Sequence, residues 1–282
     1  MNINNVMVIG SGQMGSGIAQ VLALAGYKVI LNDINETFVE KGLTNIKNQL
    51  QRQVEKNRIS QAEVDAAVEN ITTSTDYSHA KKVELVIEAA TEKRDLKLQI
   101  FKELDAIAAE ETILASNTSS LSITEIAMAT GRPHKVIGMH FFNPVPVMKL
   151  IEINIALTTD DATVAAIRAV GESLNKTIVE VKDSPGFVVN RILISMINEA
   201  IFVLSEGLST AEEIDEAMKL GANHPIGPLA LGDLIGLDVV LSIMEVLYDG
   251  FNDSKYRPAP LLKKYVEAGY LGRKTGRGFF NY

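Results

Sequence analysis

Three glycines separate a strand-like run from a helical run near the start of the chain. In VMVIGSGQMGSGIA, Gly10, Gly12 and Gly15 have a G-x-G-x-x-G spacing, with Gln13 and Met14 between the last two. In a strand–turn–helix unit the first glycine permits a tight turn, the second lets the backbone approach a phosphate, and the third lets the helix pack close to the sheet. The pattern therefore predicts a βαβ unit with a phosphate-binding turn, which includes Gln13 and Met14.

An aspartate at the end of the next strand-like run points to the nucleotide. Asp33 ends KVILND, 21 residues after Gly12. A carboxylate at this place can accept hydrogen bonds from both ribose hydroxyls of an adenosine, and it would repel a 2′-phosphate. We therefore expect NAD as the cofactor and consider NADP disfavoured. A glycine-rich turn followed by a surface aspartate is the alternative, and it does not explain the order of strand, turn, helix and acid.

Strand-like and helical patterns alternate through the first two thirds of the chain. Eight short apolar runs predict strands: VMVIG, KVILND, NITTS, ELVIEAA, TILASN, KVIGMH, MKLIEI and TIVEV. After the second run, Val39, Leu43, Ile46, Leu50 and Val54 recur at steps of three and four, as on the buried face of a helix. This alternation predicts a Rossmann-type, doubly wound α/β fold with a mostly parallel sheet.

The sequence changes character at KDSPGFVVNR, after which we find no convincing strand and several helical patterns. The first helix is expected to have Ser184 as its N-cap and Pro185 in its first turn, and to stop at Gly207. Because it is apolar on almost every face, we expect it to be buried on all sides. We therefore divide the chain into an α/β domain, residues 1–183, and an all-α C-terminal domain, residues 184–282.

Composition excludes several classes of protein. The chain has 282 residues, a formal net charge of −8 and no cysteine. The acidic charge argues against nucleic acid as the main partner, and the lack of cysteine excludes disulfides and thiolate metal ligands. No apolar run reaches the ~20 residues of a membrane span, and the N-terminus does not resemble a secretory signal. We expect a soluble, cytoplasmic protein with no membrane partner, and we assign no metal ligands.

Polar residues follow several predicted strands at the edge where doubly wound folds bind ligands. His140 follows KVIGM, Ser119 lies in the segment after TILA, and Glu92 follows ELVIEAAT. Oxidation of an alcohol by NAD requires a base, and the unperturbed pKa of histidine lies near neutrality. Glu152, in the strand after the NPVP turn, could hold the second ring nitrogen. For a lone histidine, however, an ordinary structural role at a strand end is the more frequent case.

Five segments of the sequence carry a resemblance to a known family. GSGQMGSGIA, ASNTSSL, HFFNPVPVMKLIE, DSPGFVVNR and GRKTGRGFFNY closely resemble the 3-hydroxyacyl-CoA dehydrogenase family, in particular its stand-alone short-chain members. The resemblance covers essentially the whole chain. It implies a reversible, NAD-dependent oxidation of (S)-3-hydroxyacyl-CoA thioesters, with His140 as general base or acid and Glu152 as its partner.

The resemblance also implies roles for other residues. Ser119 would hydrogen-bond the C3 oxygen of the substrate, and Asn190 would reach the same site from the second domain. Glu92 and Lys97 would contact the nicotinamide half of the cofactor. Asn143, in the NPVP turn, is assigned to the cofactor site and is also placed to bind the catalytic histidine or the substrate.

A basic cluster on or just after the helix that follows Asp33 suggests how CoA is held. Arg52 and Lys56 are spaced i,i+4 and share a helix face, with Lys47 and Arg58 nearby. We expect Arg52 and Lys56 to bind the phosphates of an acyl-CoA thioester, and the family resemblance implies CoA contacts in this region. A solvated helix face is the alternative.

Two other functions stay open, and one assembly is expected. A related dehydrogenase of a non-CoA hydroxy acid such as L-gulonate is disfavoured by the basic face. A structural NAD-binding protein without turnover is disfavoured by the intact set of Ser119, His140, Glu152 and Asn190. Family members with two copies of the helical domain in one chain pack these together, so we expect a homodimer through that domain.

Overall fold

The computed structural model describes residues 2–282. The chain forms two compact units, Met1–Ser184 and Pro185–Tyr282. The first unit contains strands and helices, and the second is helical. The predicted fold class is confirmed by this arrangement.

The first unit, described from residue 2 onward, is built on one sheet of eight strands. Their order is β3-β2-β1-β4-β5-β6-β7-β8, and adjacent strands are parallel except for β6 and β7. All eight predicted runs form strands, which are β1 (Asn5–Ile9), β2 (Lys28–Asn32), β3 (Ile71–Ser74), β4 (Leu85–Glu88), β5 (Ile113–Ser116), β6 (Val136–Phe141), β7 (Leu150–Ile155) and β8 (Thr177–Lys182).

Helices connect most of these strands. Within residues 2–184 the α-helices are α1 (Gln13–Leu24), α2 (Glu36–Glu55), α3 (Gln61–Glu69), α4 (Arg94–Ile107), α5 (Ile123–Met128) and α6 (Asp161–Ser173). The predicted apolar face of α2 packs on the sheet, since Val39, Ile46 and Leu50 are fully buried. Leu43 and Val54, from the same face, are partly buried against this core.

The turn between β6 and β7 explains the twelve-residue spacing of the predicted catalytic pair. Because β6 and β7 are antiparallel, the chain reverses and His140 lies directly opposite Glu152 in the strand register. Side chains opposite each other on one face of an antiparallel pair have Cβ atoms about 4.5–5.5 Å apart. The sheet itself thus brings the imidazole and the carboxylate within hydrogen-bonding reach.

The second unit is a cluster of helices around its own core. Over residues 185–282, all of them described, the α-helices are α7 (Val189–Ser205), α8 (Ala211–Gly221), α9 (Pro228–Ile235), α10 (Leu237–Phe251) and α11 (Pro260–Glu267). Fully buried side chains from four of these helices form the core, among them Ile197, Leu229, Val240, Met244 and Leu262. Among residues 2–282, none of the helices combines the length and apolar character that a membrane crossing requires.

Helix α7 begins later than the sequence predicts. Ser184 does not cap it, since the first helical residue is Val189. Gly186 and Phe187 have φ angles of +71° and +51°, in the left-handed region that an α-helix cannot include. The segment from Ser184 to these two residues is therefore a separate turn, although it contains the expected cap and proline. The helix ends as expected, because Gly207 adopts a φ of +73°.

The prediction that α7 is buried on all sides is wrong for the single chain. Ile194, Ile197 and Ile201 are buried in the core of the second unit, as their spacing requires. Ile192, however, is 66% exposed, and Leu193 is only partly buried. Apolar residues on every face indicate that the helix is buried in the native assembly, but they do not identify what covers each face.

Candidate active site

The glycine turn between β1 and α1 has the backbone geometry that a bound pyrophosphate requires. Gly10 has a φ of +93°, and a Cβ on it would lie 2.7 Å from the Cα of Ala90. A Cβ on Gly15 would lie 1.7 Å from the carbonyl oxygen of Gly10. For a Cβ on Gly12, by contrast, the described residues place no atom within 4 Å. Gly10 and Gly15 thus allow close packing, and Gly12 exposes backbone to an open space.

The N-terminus of α1 follows directly on Gly12. Gly12 is the N-cap, a residue without a side chain to satisfy the first N–H groups, and the helix starts with the uncharged residues Gln13 and Met14. The amides at this end therefore point toward the open space beside Gly12, where the helix dipole favours negative charge. This geometry fits a pyrophosphate group.

Asp33 lies in the wall of a cavity beside this helix end. The cavity has a volume of about 360 Å³, and Phe38, Lys41 and Gln49 of α2 also line it. The Oδ2 atom of Asp33 accepts hydrogen bonds from the backbone amide and the hydroxyl of Ser11, both at 2.7 Å. These bonds fix the carboxylate at the cavity, so that the residues present fit an adenosine ribose. No pattern in the sequence distinguishes Ser11 as a partner of this aspartate.

His140 and Glu152 form a buried hydrogen bond. The Nδ1 atom of His140 lies 2.9 Å from Oε2 of Glu152. The histidine is 5% exposed and the glutamate is fully buried. Since an ionised carboxylate only accepts hydrogen bonds, Nδ1 carries the proton of this bond. The pair therefore fixes the tautomer and makes Nε2 the ring nitrogen that can exchange a proton with a substrate.

Glu92 and Ser119, two of the predicted site residues, bind each other. The Oε1 atom of Glu92 accepts hydrogen bonds from the Ser119 amide at 2.6 Å and from the Ser119 hydroxyl at 2.8 Å. The Thr118 hydroxyl donates to the other carboxylate oxygen at 2.8 Å. Glu92 thus holds the loop after β5 in place and orients the hydroxyl of Ser119.

Lys97, which the family resemblance assigns to the cofactor site, is buried next to Glu92. It is 1% exposed, and its ammonium group donates to the fully buried carboxylate of Glu88. It lies 3.9 Å from a carboxylate oxygen of Glu92. Glu88 also accepts from the Ser116 hydroxyl at 3.1 Å and from the Ala90 amide at 2.8 Å. The structure thus gives Lys97 a buried, supporting position at the start of α4.

Asn143 connects the NPVP turn to the glycine turn. Its Oδ1 atom accepts a hydrogen bond of 2.9 Å from Nε2 of Gln13, in the first turn of α1. Two of the residues assigned to the cofactor site from the sequence are therefore in direct contact. The contact links the phosphate-binding turn to the loop that joins the strands of His140 and Glu152.

Arg52 and Lys56 extend the helix face that lines the Asp33 cavity. Lys41, Asn45 and Gln49 line the cavity from α2. Arg52 and Lys56 follow at steps of three and four residues, and both side chains are exposed. The structure therefore places Arg52 in the last turn of α2 and Lys56 at its C-cap, at the end of the face that lines the cavity.

Asn190 is the predicted site residue that belongs to the second unit. It lies in the first turn of α7 and is partly buried. Because the helix begins only at Val189, Asn190 directly follows the turn that contains Gly186 and Phe187. Its assignment to the site rests on the family resemblance.

Comparison with protein families gives two matches that together cover nearly all of the chain. The profile of the NAD binding domain of 3-hydroxyacyl-CoA dehydrogenase matches residues 5–184. The profile of the C-terminal domain of 3-hydroxyacyl-CoA dehydrogenase matches residues 186–282. The two matched ranges correspond to the α/β unit and the helical unit of the structure.

Individual relatives are similar over their full length. A probable 3-hydroxybutyryl-CoA dehydrogenase of Bacillus subtilis is 55% identical over 282 residues, which cover 100% of this chain and 98% of the relative. A 3-hydroxybutyryl-CoA dehydrogenase of Bradyrhizobium diazoefficiens is 52% identical over 280 residues, with coverage of 99% and 96%. The crystal structure of (S)-3-hydroxybutyryl-CoA dehydrogenase from Ralstonia eutropha matches with a TM-score of 0.98 and 54% identity, covering 100% of this chain and 99% of that one.

Proposed function

The chain belongs to the 3-hydroxyacyl-CoA dehydrogenase family, and on this premise we propose that it interconverts (S)-3-hydroxybutyryl-CoA and acetoacetyl-CoA with NAD as the cofactor. The observation that carries the proposal is the buried bond between His140 and Glu152 at the ligand-binding edge of the sheet. It gives a chain with a dinucleotide-binding turn the acid–base group that oxidation of an alcohol requires.

The residues of the first unit support a simple proton-transfer scheme. When bound, NAD supplies the acceptor and donor of hydride at C3 of the substrate. During oxidation, Nε2 of His140 takes the proton of the 3-hydroxyl group, and during reduction it returns this proton. Glu152 holds the Nδ1 proton and stabilises the imidazolium that forms. We infer that Ser119 turns its hydroxyl from Glu92 and donates to the C3 oxygen, and the role of Asn190 at the same oxygen stays a prediction.

The proposed activity is tested by the initial rate of NADH oxidation with acetoacetyl-CoA. Free acetoacetate at the same concentration is the matched control, because it has the same reacting carbonyl but no CoA. Rapid oxidation with the thioester and a much lower rate with the free acid are expected. Comparable rates with both substrates would favour a dehydrogenase of non-CoA hydroxy acids.

Cofactor preference should depend on Asp33. We expect Asp33→Ala to lower kcat/KM for NADH by about 10- to 100-fold, since hydrogen bonds to a charged group contribute about 1.5–3 kcal/mol each. The preference over NADPH should shrink at the same time, because the repulsion of a 2′-phosphate is lost. Steady-state kinetics with both cofactors measure this, with Glu40→Ala on the exposed side of α2 as a control for loss of charge. An unchanged ratio of the two kcat/KM values would remove Asp33 from the ribose site.

Substrate binding should depend on the basic face of α2. The Arg52→Ala, Lys56→Ala double variant is expected to raise the KM for acetoacetyl-CoA, because both exposed cations would bind CoA phosphates. Such contacts are screened over about 8 Å at physiological ionic strength, so the wild-type KM should rise with salt more than the KM of the variant. Steady-state rates at several salt concentrations measure this effect.

Two controls distinguish a phosphate contact from a structural effect of these substitutions. Acetoacetyl-pantetheine lacks the nucleotide of CoA, so its KM should be almost unaffected. Lys47→Ala removes a positive charge from a different face of α2 and should leave the KM for acetoacetyl-CoA near the wild-type value. Equal losses with both thioesters would show that the basic pair is structural, and no loss with either would place CoA elsewhere.

The assembly is proposed to be a homodimer formed through the helical unit. The support is the apolar surface of α7, where Ile192 is 66% exposed, together with the single copy of the helical domain in this chain. Light scattering at assay concentrations is the test, and an active monomer would contradict the proposal. A cytoplasmic location without nucleic-acid or membrane partners stays a prediction from composition.

A further inference from the structure

Lys176 is a buried lysine that the proposed reaction does not use. It lies between α6 and β8 and is 9% exposed. Its ammonium group donates hydrogen bonds to the main-chain carbonyls of Val145 at 2.7 Å and Met148 at 2.6 Å. Burial lowers the pKa of Lys176 from its ordinary value. Burying an ammonium group is unfavourable, and an apolar side chain could fill the same space without that cost. The two hydrogen bonds to carbonyls therefore suggest a specific role for this lysine.

Both carbonyls belong to the turn between β6 and β7. In this turn, the carbonyl of Pro144 accepts from the amides of Val147 at 2.9 Å and Met148 at 3.0 Å. Those internal bonds do not use the carbonyls of Val145 and Met148, which are bound by Lys176. The ammonium group therefore satisfies the acceptors that the turn itself cannot, and it attaches the turn to the start of β8.

The turn is held on its other side by α1. Val145 is 2% exposed, and a Cβ built on Gly17 of α1 would lie 2.9 Å from the Val145 Cβ. Asn143, at the start of the turn, accepts the hydrogen bond from Gln13 in the first turn of the same helix. Displacement of the turn would therefore be transmitted directly to the contact between Asn143 and Gln13.

We propose that Lys176 is a positioning residue for the cofactor site: its ammonium group fixes the turn that brings Asn143 to Gln13. The inference rests on the proposed function in one respect, namely that this contact lies beside bound NAD(H). The two hydrogen bonds of Lys176 go to Val145 and Met148, which belong neither to the glycine turn nor to the His140–Glu152 pair. Its effect on binding must therefore be transmitted through Asn143.

A double-mutant cycle on NADH binding tests this route. Lys176→Met keeps the length and packing of the side chain but removes the donor. We expect it to weaken binding of NADH, measured by fluorescence titration without thioester, by about tenfold, the loss of roughly one hydrogen bond. In an Asn143→Ala background the same substitution should cost almost nothing further. Equal losses in both backgrounds, or no loss in either, would overturn the proposal.

Two further variants separate positioning from general stability. Lys176→Arg keeps the positive charge and the donors and should retain most of the NADH affinity that Lys176→Met loses. Lys182→Met removes an exposed lysine from the end of the same strand, β8, and should bind NADH like the wild type. If Lys176→Arg and Lys176→Met weaken binding equally, the two carbonyl contacts do not position the site.

Hydrogen exchange tests the turn without any ligand. Lys176→Met should speed up exchange of the Val147 and Met148 amides, which donate to Pro144, whereas Lys182→Met should leave it unchanged. Unchanged exchange in Lys176→Met would contradict the proposal even if the affinity for NADH fell. Failure of the wild type to bind NADH would instead contradict the proposed function, while the exchange result would still decide the role of Lys176.

Discussion

His140→Ala is expected to lower kcat for acetoacetyl-CoA reduction by about 10²- to 10⁴-fold, because general acid–base catalysis typically contributes that much. Glu152→Gln should also lower kcat, since it keeps the size of the side chain but removes the charge that stabilises the imidazolium. The two side chains share one buried hydrogen bond of 2.9 Å. Steady-state kinetics of both single variants measure these effects, with NADH affinity expected to stay close to the wild-type value.

The double variant decides whether the pair acts as a unit. If the carboxylate acts only through the imidazole, the loss in kcat for the double variant should be close to that of His140→Ala alone. Multiplicative losses would show that Glu152 acts independently of His140. His134→Ala replaces a histidine that lies before β6 rather than opposite Glu152, and it should leave kcat nearly unchanged.

The largest expected change in stability comes from Lys97→Met. This substitution leaves the carboxylate of Glu88 fully buried without its cation, and breaking a buried pair in this way costs about 3–5 kcal/mol. Combining it with Glu88→Gln should recover a large part of the loss, because the uncompensated charge is then removed as well. Urea unfolding followed by a probe in the α/β unit measures the free energy of unfolding.

The matched control for this stability effect is Lys93→Met. Lys93 is the exposed N-cap of the same helix, so its replacement should change the free energy of unfolding by less than about 1 kcal/mol. Similar losses for Lys97→Met and Lys93→Met would show that the buried charge pair contributes no more than an exposed lysine. A double variant less stable than Lys97→Met would also contradict this account of Glu88.

Local patterns were enough to predict the strands, whereas the catalytic role of His140 and Glu152 came from the family resemblance and stays a prediction. Each strand is a short apolar run, and the NPVP turn lies between two of them, so an antiparallel return that pairs His140 with Glu152 follows from near neighbours in sequence. The start of α7 could not be predicted in this way, because a serine followed by a proline is a common helix start signal. The positive φ angles of Gly186 and Phe187, which only the structure shows, separate this signal from the helix.

The supporting residues of the site could not be predicted from the sequence, since their partners are distant along the chain. Lys176 binds carbonyls 31 and 28 residues away, and Ser11 binds a carboxylate 22 residues away. The residues around a lysine at the start of a strand do not indicate whether its ammonium group is buried or exposed to solvent. The family resemblance assigns Lys97 to the cofactor site but does not predict that its side chain is buried. That burial depends on the packing of α4 against Glu88.

Product analysis decides whether this chain transfers hydride between NAD(H) and a short 3-hydroxyacyl-CoA thioester. The purified protein is incubated with acetoacetyl-CoA and NADH, and the consumed NADH is compared with the amount and configuration of the 3-hydroxybutyryl-CoA formed. One molecule of the (S)-product per NADH is predicted, with His140→Ala forming almost none in the same time. Formation of the (R)-product, or NADH oxidation without formation of a 3-hydroxyacyl thioester, would rule out this activity.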